Sequence, residues 1–303
     1  MRWNNEISIP HKAKCLHNLL RKVLKYPALN LMVIVMSIQP KEGFVTSGGF
    51  RLHYLQWGQG GPPLVILPSM GMDAHAYDAF SRAVSGEHRV LAFDLLDHGD
   101  SEKLTRPVGQ EEHAEVVRGA YRQLGFSPNV LIGHSIGGML GMILAAKHPD
   151  ELKGLVLVDI VPFDPTQLRR APPMEPPESF ADEDEAGRYI RQRYPGFTQE
   201  AVENRMRYAF TKSPDGGLRF KGIGNTLRGG IRADLWPFVE RIRTPTLLLV
   251  AGEGRIVTAG ALERMRSLIP DFTAVTVEGA THMIPQDRPA AFEREVRAFL
   301  ARI

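Results

Sequence analysis

The sequence predicts an α/β protein with a mostly parallel central sheet, because short apolar runs alternate with helical stretches along its 303 residues. Residues 63–67 (PLVIL) are continuously apolar, as expected for a central strand covered on both faces. Residues 50–57 alternate apolar and polar side chains and indicate a half-buried strand. A helical stretch at 111–124 ends at Gly125. This alternation predicts helices on both faces of the sheet. Further strands are expected at 88–93, 153–158, 244–250 and 271–277, and a closing helix at 288–303.

The most informative stretch is residues 129–138 (NVLIGHSIGG), in which an apolar run enters a Gly-x-Ser-x-Gly motif. A helix-compatible stretch, 139–147, follows, so the order is strand, sharp turn and helix, as a nucleophile elbow requires. Gly133 and Gly137 lack Cβ atoms, which lets the strand and helix backbones approach closely around a strained turn. We therefore predict that Ser135 is a nucleophile. The motif alone also fits an ordinary strand-to-helix turn.

Two further segments lie on either side of this motif in the chain, DLLDHGDS at 94–101 before it and GATHMIP at 279–285 after it. Together the three segments resemble the α/β-hydrolase fold family, and the similarity extends over residues 44–303 apart from a poorly matching stretch near 162–236. The resemblance implies that His282, in the loop between the last strand and the closing helix, is the catalytic histidine. It also implies a structural role for the 94–101 loop, so His98 is not expected to be catalytic.

The loop after the 63–67 strand bears on how an oxyanion would be bound. In α/β-hydrolases the corresponding loop usually reads His-Gly before a residue whose backbone N–H forms half of the oxyanion hole. Pro68-Ser69 stands there in this sequence, so Met70 is the matching donor. Any residue except proline can supply the N–H, and Pro68 is not at the donor position. Ile136, at the start of the helix after the nucleophile, is expected to supply the second N–H.

The acid that orients His282 is the point at which the sequence departs from the family. Family members commonly carry it in a Gly-x-x-Asp turn, but residues 252–257 read GEGRIV and put Arg255 in that place. Asp159, at the end of the strand after the elbow helix, is our preferred acid, since some family members carry the acid there. Glu253, a Ser-His dyad and a carboxylate from the 162–236 stretch remain alternatives. Arg255 could pair with a carboxylate, bind an acidic substrate group or face solvent.

The chain divides into three parts on composition. Residues 1–40 form a basic and apolar extension that we predict to be poorly ordered, with the true start at Met32 or Met36 as a hypothesis. Its run of about nine apolar residues is shorter than the ~20 that a membrane span needs. Residues 41–161 and 237–303 form the core. Residues 162–236, Pro-rich and charged, match the place of a helical cap in the family. Aromatic residues there would suit an apolar or aromatic small-molecule substrate, or would simply pack the cap: Phe163, Phe180, Tyr189, Tyr194, Phe197, Tyr208 and Phe210.

Composition excludes several classes of partner. The formal net charge is +3, but residues 1–36 alone carry +5, which leaves −2 for the remainder, so no nucleic-acid surface is expected on the core. The single cysteine, Cys15, cannot form an internal disulfide, which fits a cytoplasmic protein. No metal-ligand spacing and no glycine-rich phosphate loop are present, so no metal and no cofactor are expected. The sequence leaves the oligomeric state open.

The function expected from these features is hydrolysis of a carboxylic ester or lactone through an acyl-enzyme on Ser135. Hydrolysis of a carbon–carbon bond in a dienoic ring-cleavage product is the alternative reaction, because the same site and a similar cap serve both. Family members with a nucleophilic aspartate, the dehalogenases and epoxide hydrolases, fit less well because the elbow residue is serine. The fold also includes non-catalytic ligand-binding members, which form the alternative from another class.

Overall fold

An eight-stranded sheet forms the centre of the chain in the computed structural model, which describes residues 39–162, 177, 179–214, 216–222 and 234–303. The predicted extension lies outside the described residues, except for residues 39 and 40. Within the described part the main sheet has eight strands: β1 (Lys41–Ser47), β2 (Phe50–Trp57), β3 (Pro63–Leu67), β4 (Arg89–Phe93), β5 (Asn129–His134), β6 (Leu152–Val158), β9 (Thr246–Ala251) and β10 (Phe272–Val277). A separate two-stranded sheet pairs β7 (Phe210–Lys212) with β8 (Leu218–Phe220).

The main sheet has the order β1-β2-β4-β3-β5-β6-β9-β10. Strand β2 is antiparallel to β1 and β4, whereas every pairing from β4 through β10 is parallel. The predicted mostly parallel sheet is therefore confirmed. Parallel strands end at the same edge of a sheet, so the loops after β3, β5, β6, β9 and β10 emerge side by side. Every residue predicted for the site lies in one of these loops or directly at a strand end.

Helices cover both faces of this sheet, as the sequence predicts. In chain order they are α1 (Asp78–Val84), α2 (Gln110–Gln123), α3 (Ile136–Lys147), α4 (Glu183–Arg193), α5 (Gln199–Tyr208), α6 (Trp236–Val239), α7 (Ala259–Leu268), α8 (Ile284–Asp287) and α9 (Pro289–Leu300). Helix α3 packs against α2 and α6, while α9 packs against α1. Helix α3 begins at Ile136, directly after the turn residue Ser135, and continues through the helix-compatible stretch 139–147.

The segment between β6 and α6 contains its own small apolar cluster. Asp182 caps α4 by accepting a hydrogen bond from the Glu185 N–H at 2.8 Å, so the four acidic residues 182–185 form the start of a helix. Thr198 caps α5 in the same way. The short β7–β8 hairpin was not expected from the sequence. The apolar cluster buries Phe180, Ala186, Ile190, Val202, Ala209 and Phe210, with Tyr189, Tyr194, Phe197 and Phe220 packed against it.

The aromatic side chains of this segment contact one another or the core. The Phe180 and Phe210 rings meet edge to face with centroids 5.4 Å apart, and Tyr194 stacks on Phe197. Tyr208 stacks on His75 of the core at 3.5 Å. These contacts account for the aromatic residues by packing, so the apolar or aromatic substrate stays a prediction. Phe163 lies outside the described residues. None of the described helices has the length and apolar character that crossing a membrane requires.

Candidate active site

Ser135 occupies a strained turn between β5 and α3. Its backbone has φ 52° and ψ −116°, a conformation that few residues other than glycine adopt. A Cβ atom on Gly133 would lie 2.5 Å from the Gly137 carbonyl oxygen, and one on Gly137 would collide with the Leu67 carbonyl oxygen. Both glycines are therefore required by the close approach of α3 to β3 and β5. A strand, a strained turn at Ser135 and a helix in this order have the geometry of a nucleophile elbow.

Asp159 and His282 form a hydrogen-bonded pair at the same edge of the sheet. The His282 Nδ1 atom lies 2.8 Å from Asp159 Oδ2, and Asp159 is fully buried directly after β6. The other carboxylate oxygen, Oδ1, accepts the Ala251 N–H at 3.0 Å. An ionised carboxylate can only accept, so Nδ1 carries the hydrogen and Nε2 is left as the basic nitrogen. This is the tautomer that a general base needs.

The alternative acid, Glu253, is exposed, and its own N–H donates to the Ala280 carbonyl at 2.9 Å. The next residue, Gly254, lies against Asp159, since a Cβ there would be 3.2 Å from Asp159 Oδ2. The turn after β9 therefore contacts the buried carboxylate with its backbone and extends the Glu253 side chain into solvent. Arg255 in the same turn is also exposed.

The loop that follows β3, residues 68–73, is a β-turn at its centre; we call it the β3 loop. The Met72 N–H donates to the Ser69 carbonyl at 3.0 Å, and Gly71 has φ 78°, as the third position of a type II turn requires. Met70 is the second residue, so its N–H takes no part in the hydrogen bond that closes the turn. Proline and serine in place of the usual His-Gly are thus compatible with an ordered loop. Because Leu67 of β3 pairs with Gly133 of β5, this loop and Ile136 emerge from neighbouring strands.

His134, the residue before the elbow serine, contacts the His282 loop. Its Nε2 atom donates to the His282 carbonyl oxygen at 2.8 Å. Burial, and secondarily the neighbouring His282 ring, lowers the pKa of His134 well below the ordinary value for histidine, so the His134 ring stays neutral with its hydrogen on Nε2. The loop is held from its other side by Asp287, whose Oδ2 accepts the Thr281 N–H at 2.7 Å and the Thr281 hydroxyl at 2.5 Å. The His134 contact has no local sequence signal, since His134 is 148 positions from His282.

The acidic and histidine-containing loop at 94–101 is part of the scaffold. Asp94 is buried, and its carboxylate accepts hydrogen bonds from His53 Nδ1 and from the N–H groups of Ala74 and Asp100. Burial raises the pKa of Asp94, but these hydrogen bonds outweigh burial and lower the pKa overall. His98 is fully buried and donates to the Leu96 carbonyl at 2.9 Å. Neither side chain is hydrogen-bonded to Ser135 or His282.

One group of side chains has the spacing of a metal site. Ligand atoms of His53, Asp94 and Asp100 all lie within 4.8 Å of one another. Both oxygens of Asp94 already accept hydrogen bonds, and Asp100 Oδ2 pairs with Lys221 Nζ at 2.7 Å. Hydrogen bonds and an ion pair therefore account for the proximity of the three groups.

Comparison with known proteins identifies the family. A family model described as the alpha/beta hydrolase fold matches residues 62–215. The 2-(acetamidomethylene)succinate hydrolase of Mesorhizobium japonicum is 26% identical over 263 residues, covering 84% of this chain and 94% of that protein. The sn-1-specific diacylglycerol lipase of Mus musculus is 27% identical over 259 residues, covering 79% of this chain and 81% of the lipase. A crystal structure of E-2-(acetamidomethylene)succinate hydrolase superimposes with a TM-score of 0.78 at 24% identity, covering 87% of this chain and 100% of that one. The chain belongs to the alpha/beta hydrolase fold family.

Proposed function

We propose that the protein is a serine hydrolase that cleaves a carboxylic ester or lactone through an acyl-enzyme on Ser135. The observation that carries the proposal is the 2.8 Å hydrogen bond between the buried Asp159 and His282 at the sheet edge from which the strained Ser135 turn emerges. Hydrolase names among the relatives support the reaction class, and the lipase among them supports an ester substrate.

In this mechanism His282 Nε2 removes the proton from the Ser135 hydroxyl as Oγ attacks the substrate carbonyl. The N–H groups of Met70 and Ile136 donate hydrogen bonds to the oxyanion that forms, and each such donor is worth on the order of 10²–10³ in rate. Collapse of the tetrahedral intermediate breaks the ester bond, and the leaving alkoxide takes the proton from His282. A water molecule, deprotonated by His282, then attacks the acyl-enzyme and releases the carboxylic acid and free Ser135.

Asp159 holds the His282 ring in the tautomer with hydrogen on Nδ1 and stabilises the imidazolium that forms in each step. Its burial and its second hydrogen bond, to Ala251 N–H, favour it over the exposed Glu253 as the acid. We further propose that residues 162–236 form a cap over the site, as their contacts with the core through α5 suggest.

A serine-directed fluorophosphonate tests the proposal. The wild-type protein should become labelled at a single site, and Ser135→Ala should abolish the labelling. Ser267→Ala removes an exposed hydroxyl on α7 and serves as the matched control, which should label at the wild-type rate. A wild-type protein that is folded but is not labelled would favour a non-catalytic ligand-binding protein.

The scissile bond is tested with a panel of p-nitrophenyl esters of increasing acyl length, lactones, dienoates and N-acyl enamine acids. Ester or lactone turnover that depends on Ser135 supports the proposal. Turnover confined to dienoates would assign the alternative carbon–carbon hydrolysis. Turnover confined to the N-acyl compounds would instead indicate a reaction like the one for which the Mesorhizobium relative is named.

A further inference from the structure

Arg205, on helix α5, is buried against the β3 loop, with only 3% of its surface exposed. Its Nη1 atom lies 2.6 Å from Asp73 Oδ2, and its Nη2 donates to the Gly71 carbonyl oxygen. Both acceptors belong to the three residues that follow Met70. One side chain from the segment between β6 and α6 therefore holds the loop that carries a proposed oxyanion donor.

Arginine suits this position for a geometric reason. The guanidinium is planar, and its fork of donors can serve two acceptors at fixed angles, whereas a lysine ammonium is a compact point charge on a flexible stem. The Phe220 ring lies 5.0 Å from the guanidinium carbon. Asp73 supplies the opposite charge, which a buried arginine needs, and its own side chain is only 9% exposed. The contact thus has one defined geometry.

The β3 loop is tied to the molecule at two points. On the sheet side, the Ala74 N–H directly after the loop donates to Asp94 Oδ1 at 2.7 Å. On the other side stands the contact of Arg205 with Gly71 and Asp73. The Gly71 carbonyl shares its peptide group with the Met72 N–H, which donates to the Ser69 carbonyl at 3.0 Å. The Ser69 carbonyl in turn shares its peptide group with the Met70 N–H, so a contact that holds the Gly71 carbonyl also restrains the direction of the Met70 N–H. An unheld turn of this kind can rotate its peptide groups at small cost.

We propose that Arg205 is a positioning residue: by binding Gly71 and Asp73 it fixes the β3 loop in the conformation that aims the Met70 N–H at the oxyanion. The inference rests on the proposed function, because it assumes that Met70 is an oxyanion donor. The inference extends the proposed function, because it makes turnover depend on the contact between helix α5 and the β3 loop. Because the oxyanion exists only near the transition state, loss of the contact lowers kcat and leaves KM nearly unchanged.

Arg205→Lys tests the inference, since it keeps a positive charge opposite Asp73 but cannot serve both acceptors. We expect kcat for p-nitrophenyl acetate to fall about 10- to 100-fold, up to the effect of losing one oxyanion donor, with KM within about twofold. Affinity for a trifluoromethyl ketone, which mimics the tetrahedral intermediate, should fall by the same factor as kcat/KM. Arg207→Lys, an exposed arginine on the same helix, is the matched control and should leave all three quantities unchanged.

A second variant keeps the inference testable if Arg205→Lys does not fold. The pair Arg205→Met with Asp73→Asn removes both buried charges together, so that neither is left unpaired. A folded double variant with the same loss of kcat and of ketone affinity supports the inference. Unchanged kcat in either folded variant, or loss of fold in both, overturns it. Fluorophosphonate labelling distinguishes failure of the proposed function from failure of the positioning role. If the wild type is not labelled at Ser135, the proposed function fails. If Ser135 is labelled and Arg205→Lys retains full turnover, only the positioning role is rejected.

Discussion

The His282 Nδ1 and Asp159 Oδ2 atoms lie 2.8 Å apart although 123 positions separate the two residues in the sequence. Asp159 directly follows β6 and His282 follows β10, with β9 between these strands in the sheet. The Ala251 N–H at the end of β9 binds the second carboxylate oxygen. The Asp159 carboxylate is therefore held by a backbone N–H at the end of β9 and by the imidazole of the loop after β10.

This relationship predicts the effect of Asp159→Asn. The amide nitrogen can donate to Nδ1 and stabilise the wrong tautomer of His282, so we expect kcat to fall by up to about 10⁴. Glu253→Gln is the control, because the exposed Glu253 should contribute nothing to turnover. Steady-state kinetics on a p-nitrophenyl ester measure both. Full activity of Asp159→Asn combined with a large loss in Glu253→Gln would transfer the acid role to Glu253.

A second prediction concerns His134, which donates from Nε2 to the His282 carbonyl at 2.8 Å. His134→Phe keeps a ring of similar size and removes the donor. Freed from this hydrogen bond, the His282 loop can shift, and a displacement near 1 Å can cost up to about 10² in rate. We expect kcat to fall about 10- to 100-fold while the midpoint of thermal unfolding changes by a few degrees at most. Wild-type kcat in a folded His134→Phe variant would contradict the contact's role.

Gly137 of the elbow and Gly260 of helix α7 provide a matched pair for measuring stability. A Cβ at Gly137 would collide with the Leu67 carbonyl, whereas one at Gly260, in helix α7, would meet nothing within 4 Å. Gly137→Ala should therefore lower the free energy of unfolding by about 2 kcal/mol or more, as overpacked core sites do. Gly260→Ala should raise it by about 0.4–1 kcal/mol through reduced freedom of the unfolded chain. Urea unfolding measures both, and equal effects would contradict the packing described here.

The buried His113 should make the free energy of unfolding depend on pH. Burial, and secondarily the charge of His98, lowers the pKa of His113 from 6.5 to about 3, and its Nε2 accepts the Leu96 N–H. Between these pH values the unfolded chain binds the additional proton, so this stabilisation is complete above about pH 6.5 and is lost as the pH falls toward 3. The slope is at most about 1.4 kcal/mol per pH unit.

His113→Gln is the test of this pH dependence, because glutamine retains an acceptor oxygen and does not titrate. Its free energy of unfolding, measured by urea between pH 4 and 7, should fall less steeply with acid than that of the wild type. Parallel curves for the two proteins would show that His113 does not contribute.

Local signals were sufficient for the sheet and for the turn at Ser135, because apolar runs, glycines and the strand–turn–helix order are encoded within about ten residues. The bounds of β2 and β3 agree with those expected from the sequence. Local signals do not separate Asp159 from Glu253, because the difference depends on how the turn at Gly254 packs; the preference for Asp159 comes from the family resemblance alone. Arg205 gave no signal either, since its partner Asp73 is 132 positions away.

The central claim is a covalent acyl intermediate on Ser135, and intact-protein mass spectrometry after rapid acid quench tests it most directly. The protein is mixed with excess p-nitrophenyl acetate and quenched within the first turnover. The account predicts an acetyl adduct that peptide mapping assigns to Ser135, that accumulates with a burst of p-nitrophenol and that is absent from Ser135→Ala. Turnover without any adduct, or an adduct on another residue with undiminished turnover in Ser135→Ala, would contradict it.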